Sequence, residues 1–166
     1  MESDLMSGVG LATLAGFLAA CFGAASTGVF YKPGPWYRAL SKPGWTPPDW
    51  LFPIAWTVLY VAMAIAVWRV AFTGTDLSKL AVALWCWQIV MNATWSPAFF
   101  GLHRLGAAFV ILVFLWTAVA LTIAVFLVVD PLAGYLMLPY LVWVSYAGAL
   151  NFALWRMNGD GSPAEA

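Results

Sequence analysis

Charge is scarce in this chain. Only 8% of its 166 residues are Asp, Glu, Lys or Arg, against about 25% in a typical soluble domain. Seven acids balance seven bases, with no basic run and no acidic tail, so no nucleic-acid partner is expected. Histidine occurs once, at His103, and cysteine twice, at Cys21 and Cys86. No cluster of Cys, His, Asp or Glu has the spacing of a metal site. A lone histidine beside Arg104 in a turn reads as an interfacial polar residue rather than a haem ligand. The two thiols lie in apolar runs and read as free, buried small hydrophobes rather than a disulfide. The acids fall only in the terminal segments, a connector and the turns, which argues against a pump built on intramembrane carboxylates. No serine has a base to pair with, and no glycine motif for binding phosphate is present.

What the chain has instead is apolar length. Hydrophobic residues make up 64%, and runs long enough to cross a hydrocarbon core of about 30 Å recur. They predict an all-α membrane protein, one transmembrane domain over 1–166 with five helices at about 8–30, 50–70, 77–100, 105–129 and 132–157. The opening MESDLMSG has no basic n-region, so the first run reads as a retained span rather than a signal peptide. Residues 158–166 read as a short disordered tail. Five spans put Lys32, Arg38, Lys42, Arg104 and Arg156 on one side, with Arg69 and Lys79 on the other. The positive-inside rule then places the first connector and the C-terminus in the cytoplasm and the N-terminus outside. Gly16, Ala20, Ala24 and Gly28 lie four apart on one face of the first span, a close-packing ladder for a helix of this chain or of a second subunit.

The connector 31–49 leads into the second span through WYRALSKPGWTPPDWLFPIAWTVLY. Trp36, Trp45, Trp50 and Trp56 stand in this stretch with Tyr37 and Tyr60, among Pro35, Pro43, Pro47, Pro48 and Pro53. Proline fixes φ and restricts the residue before it, so 32–49 is expected to be extended, turned and stiff, a lid over something. Pro53 fits the first turn of the helix that follows. In the third span Gln88, Asn92 and Trp95 share one helical face, and Asn151 is the matching amide of the fifth. Such amides either tie helices together or meet a ligand. Among the eleven tryptophans, Trp36, Trp68 and Trp155 suit an interfacial belt. Trp56, Trp95 and Trp143 suit it less well, and at least two of them are expected to line a cavity.

Three stretches, WYRALSKPGWTPPDWLFPIAWTVLY, NATWSPAFFG and PYLVWVSYAGALNFALWR, resemble the tryptophan-rich sensory protein/translocator protein family, also called the peripheral benzodiazepine receptor family. The similarity runs from about Phe17 to Arg156 and is that of a bacterial member. It implies a five-helix bundle with a connector-capped pocket for protoporphyrin IX, haem, isoquinoline or benzodiazepine drugs and, in animals, cholesterol. No cofactor is required; the porphyrin is the ligand. Under the resemblance Trp56 and Trp143 match the tryptophans linked to light-dependent porphyrin breakdown. Tyr37, Pro47, Gln88, Asn92 and Ala147 match pocket-lining positions, with Trp95 in the third-span motif. Trp45, Tyr60 and Asn151 complete the candidate ligand-binding set, with Arg38 and Lys42 as candidates to pair with propionates. Two departures stand out. Leu150 and Arg156 flank Phe152 where the animal sterol motif needs tyrosine, and Gln88 replaces the asparagine of some relatives. The expected function is a membrane receptor for tetrapyrroles with a sensory role, in contact with lipid and as a homodimer. A light-driven porphyrin-degrading catalyst and a porphyrin or sterol transporter are the alternatives.

Overall fold

The computed structural model describes residues 2–160. Among them are seven α-helices, one π-helical turn and no strand. A short α1 (Glu2–Leu5) precedes α2 (Gly8–Phe30), whose first turn is capped by the Ser7 hydroxyl accepting from the Gly10 N–H. The first connector follows, and then α4 (Leu51–Ala71), α5 (Asp76–Ser96), α6 (Leu105–Val129) and α7 (Pro131–Asn158). Four of the five long helices, α2, α4, α6 and α7, are long and apolar enough to cross a membrane. The fifth, α5, is long but carries Asp76, Lys79, Gln88 and Asn92, which lower its hydropathy below that of its neighbours.

Two expected segments differ in detail. The stretch 77–100 does not run as one helix: α5 stops at Ser96, and Pro97–Gly101 forms the π-turn. Pro97 has no N–H to continue the ladder, and Leu102 N–H reaches back five residues to the Pro97 carbonyl at 2.9 Å. The connector is not extended throughout either. Residues Pro35–Ala39 form a short helix, α3, because Pro35 sits at the first helical position after Gly34 and no proline interrupts the following seven residues.

Successive long helices run antiparallel, so the bundle has two ends. At the end away from the connector α6 and α7 meet at Asp130, whose carboxylate accepts from the Leu132 and Ala133 N–H groups and pairs with Arg69 of α4 at 2.8 Å. Gly134 lets this turn close, since a Cβ there would meet the Leu127 backbone nitrogen at 2.9 Å. Met63, Val67, Trp85, Val119, Phe126 and Met137 fill the interior above it. Helix α2 packs on α4 and α5 and is the least buried of the four apolar helices. Of its small-residue ladder Ala24 is buried, whereas Gly16, Ala20 and Gly28 are exposed. Cys21 is buried and free; Cys86 is free too but faces outward, contrary to the expectation of two buried thiols.

At the other end the chain folds over itself. Asn158 closes α7 rather than opening a disordered tail: its Oδ1 accepts from the Ser41 N–H and its Nδ2 donates to the Ser41 carbonyl. Asp160 accepts from the Gly106 N–H in the first turn of α6. Residues 161–166, the rest of the expected tail, lie outside the described residues.

A ring-walled cavity beneath the connector

Between the packed interior and the connector lies a cavity of about 600 Å³, within the size range of small-molecule sites. All five long helices, the connector and the π-turn contribute to its wall. The helix α2 side is thin because Ala24 and Gly28 have almost no side chain to fill the space. The ladder read as a packing device therefore also leaves room for the cavity.

The opposite wall is made of rings. Trp56 and Trp143 both line the cavity, their ring centroids 6.4 Å apart and nearly perpendicular at 84°. Trp56 stacks on Tyr60 at 5.2 Å and meets Tyr140 edge-on at 6.1 Å. Phe52, one turn before Trp56, meets Trp143 edge-on at 5.8 Å. Trp95 lies against Phe99 and Phe100, which the π-turn delivers to the same space. Apart from the tilted Trp95–Phe99 pair, these contacts have the stacked or edge-to-face geometry that ring quadrupoles favour.

The floor is polar, and its groups are bonded to one another. Tyr60 Oη donates to Asn92 Oδ1 at 2.6 Å, and Asn92 Nδ2 donates to Tyr140 Oη at 2.9 Å. Asn151 Nδ2 donates to the Leu105 carbonyl at 2.8 Å, and its Oδ1 accepts from Trp95 Nε1 at 3.1 Å. Both asparagines thus tie helices together while lining the cavity.

The roof is the connector. Tyr37, on α3, is buried among Phe99 and Phe100 and lines the cavity. Burial pushes its phenol above the ordinary tyrosine range, and the nearby Asp49 carboxylate pushes the same way, so at neutral pH it is an uncharged hydroxyl. Tyr146 Oη of α7 donates to the Trp45 carbonyl at 2.8 Å, a second tie beside the Ser41–Asn158 pair. Trp36 stacks on His103 at 4.1 Å.

Eight of the candidate residues share this wall: Tyr37, Trp56, Tyr60, Asn92, Trp95, Trp143, Ala147 and Asn151. Five do not. Trp45 is about half exposed on the connector, its ring against Tyr146, and Pro47 does not line the cavity. Gln88 is one turn deeper than Asn92 and fully buried in the packed interior, its Nε2 3.9 Å from the Met63 sulfur. Arg38 is exposed outside the wall, and Lys42 lies over the Tyr37 ring at 4.7 Å while donating to the Arg38 and Leu40 carbonyls. The cation that does line the cavity is Lys32, which sequence reasoning counted only as positive-inside charge. Asp49, Phe52, Phe99, Phe100 and Tyr146 were likewise missed. All five stand in the quoted stretches, Asp49 and Phe52 in WYRALSKPGWTPPDWLFPIAWTVLY, Phe99 and Phe100 in NATWSPAFFG and Tyr146 in PYLVWVSYAGALNFALWR, but nothing in the pattern singled them out.

A family profile, TspO/MBR, matches residues 9–156. The chain is 45% identical over 155 residues to Protein CrtK of Rhodobacter capsulatus, covering 92% of this chain and 97% of the relative. It is 43% identical over 150 residues to the tryptophan-rich sensory protein of Cereibacter sphaeroides, covering 90% and 94%. It is 36% identical over 126 residues to the human translocator protein, covering 74% and 75%. With its apolar helices and its sequence similarity along almost the whole length, the chain is an integral membrane protein and belongs to the TspO/MBR family.

Proposed function

We propose that the protein binds flat, largely apolar tetrapyrroles such as protoporphyrin IX or haem in the cavity beneath the connector. The observation that carries this reading is the pair Trp56 and Trp143, turned into one cavity of about 600 Å³ rather than toward lipid. Indole faces offer a planar ring stacking area, and the surrounding phenylalanines exclude water from it. All five long helices cross the bilayer in this reading, α5 included, because its amides face the bundle interior where they find partners. The connector and the C-terminus then lie on the cytoplasmic side and the N-terminus outside.

The test is tryptophan fluorescence quenching by protoporphyrin IX in detergent. A Trp56→Ala, Trp143→Ala double variant is expected to bind at least tenfold more weakly, and undiminished binding overturns the site. Light-driven breakdown of the bound porphyrin is a second reading, favoured by the continuous ring contact from Trp143 through Trp56 to Tyr60. Its check is porphyrin absorbance under illumination, which should fall faster with the protein than with the Trp→Phe variants or in the dark. Equal decay with and without protein removes it.

A further inference from the structure

Where hydrogen-bonding capacity is left over decides which end of a ligand goes in first. At the floor the Tyr60 hydroxyl and the Asn92 amide are already engaged with one another and with Tyr140, and nearer the connector Asn151 is engaged with Trp95 and the Leu105 carbonyl. Higher on the wall the Thr27 and Thr57 hydroxyls donate to the Ala24 and Pro53 carbonyls of their own helices. On the ring wall the Trp56 and Trp143 indole N–H groups have no hydrogen bond among the described residues, but the charged groups are at the connector end. Lys32 and Asp49, both exposed, line the cavity there, and neither has a hydrogen bond or ion pair among the described residues. The Ser96 hydroxyl, on the last residue of α5, lines the same end and is also without a hydrogen bond among the described residues.

From this distribution we infer that Lys32 is the acid-recognising residue of the cavity, and that its ligands are amphiphiles inserted apolar edge first with a carboxylate at the mouth. The inference rests on the binding reading above and specifies it. The floor selects by shape and ring contact, because a ligand acid placed there would lose its water and meet only neutral, partly engaged donors with no cation to offset the loss. At the rim a carboxylate stays half hydrated and meets an ammonium that has no ion pair among the described residues. Arg38 and Lys42 do not fill this role, one standing outside the wall and the other held over Tyr37. Asp49 at the same rim opposes an anion, so Lys32 and Asp49 together set how strongly an acid is preferred to a neutral analogue.

The test compares protoporphyrin IX with its dimethyl ester, which keeps the ring and removes both charges, on the full chain in detergent. Lys32→Gln is expected to weaken binding of the diacid about threefold to tenfold and to leave the ester within twofold. Arg38→Gln should leave both ligands within twofold, and Asp49→Asn should tighten the diacid. Higher salt should narrow the gap between diacid and ester in the unmutated protein. Equal effects of Lys32→Gln on the two ligands, or none, overturn the role of Lys32 while leaving the cavity as the binding site. If the unmutated chain binds neither porphyrin, the binding reading itself fails and the role of Lys32 fails with it.

Discussion

The two ends of the bundle are built by different means. Away from the connector the interior is solid: Met63, Val67, Phe126 and Met137 are fully buried, and the α6–α7 turn is locked by one carboxylate that caps a helix and pairs with Arg69. At the connector end the helices surround a hollow walled largely by rings, and the cover is held by the buried Tyr37 and Leu40 and by a few exposed polar contacts to α7. The Asp130 lock and the ring wall of the cavity therefore draw on different residues. The Tyr60–Asn92–Tyr140 chain marks the boundary between the two regions.

That division can be broken or sharpened by substitution. The largest effect on stability is expected from Asp130→Ala, which removes a helix cap and leaves the partly buried Arg69 without its partner, a loss of about 2 kcal/mol. Thermal unfolding in detergent reads this loss, and porphyrin affinity should stay within twofold. An equal loss of affinity would mean that the two ends are coupled. A smaller change in stability, below about 1 kcal/mol, is expected from Asn158→Ala, because the hydrogen bonds it removes are exposed. Its main effect should be on ligand exchange, with both association and dissociation about twofold to fivefold faster in stopped-flow quenching as the cover loosens. Unchanged exchange rates would show that the connector does not gate the cavity. The smallest effect is expected from Tyr146→Phe, which deletes one hydroxyl bond to the Trp45 carbonyl and keeps the ring against Trp45, at about 0.5 kcal/mol and under twofold in exchange.

Much of the cavity was legible one helix at a time. Trp56 and Trp143 lie too deep in their apolar runs for an interfacial belt, and this was enough to mark them as wall residues before any contact was known. Asn92 and Asn151 were visible as costly polar groups within spans. Their partners were not, since Tyr60, Tyr140, Trp95 and the Leu105 carbonyl lie between 32 and 56 residues away in sequence. Gln88 shows the limit of the same reasoning: it shares a helical face with Asn92, but one turn of helix carries it from the cavity into the packed interior. Lys32 was hidden for the opposite reason. A cation at a membrane interface is ordinary in sequence, and only the fold of the connector brings it to the mouth of a hollow.

By itself the sequence determined that the chain is helical and lives in a membrane, because the length and polarity of a span are local properties that the bilayer reads directly. It also determined where the rings are concentrated and where proline stiffens the chain. Only the tertiary structure decided which rings face one another, which amides are already satisfied and which charge stands at the opening. Those outcomes depend on side chains from distant helices meeting across the bundle, and no periodicity within a single helix encodes that meeting.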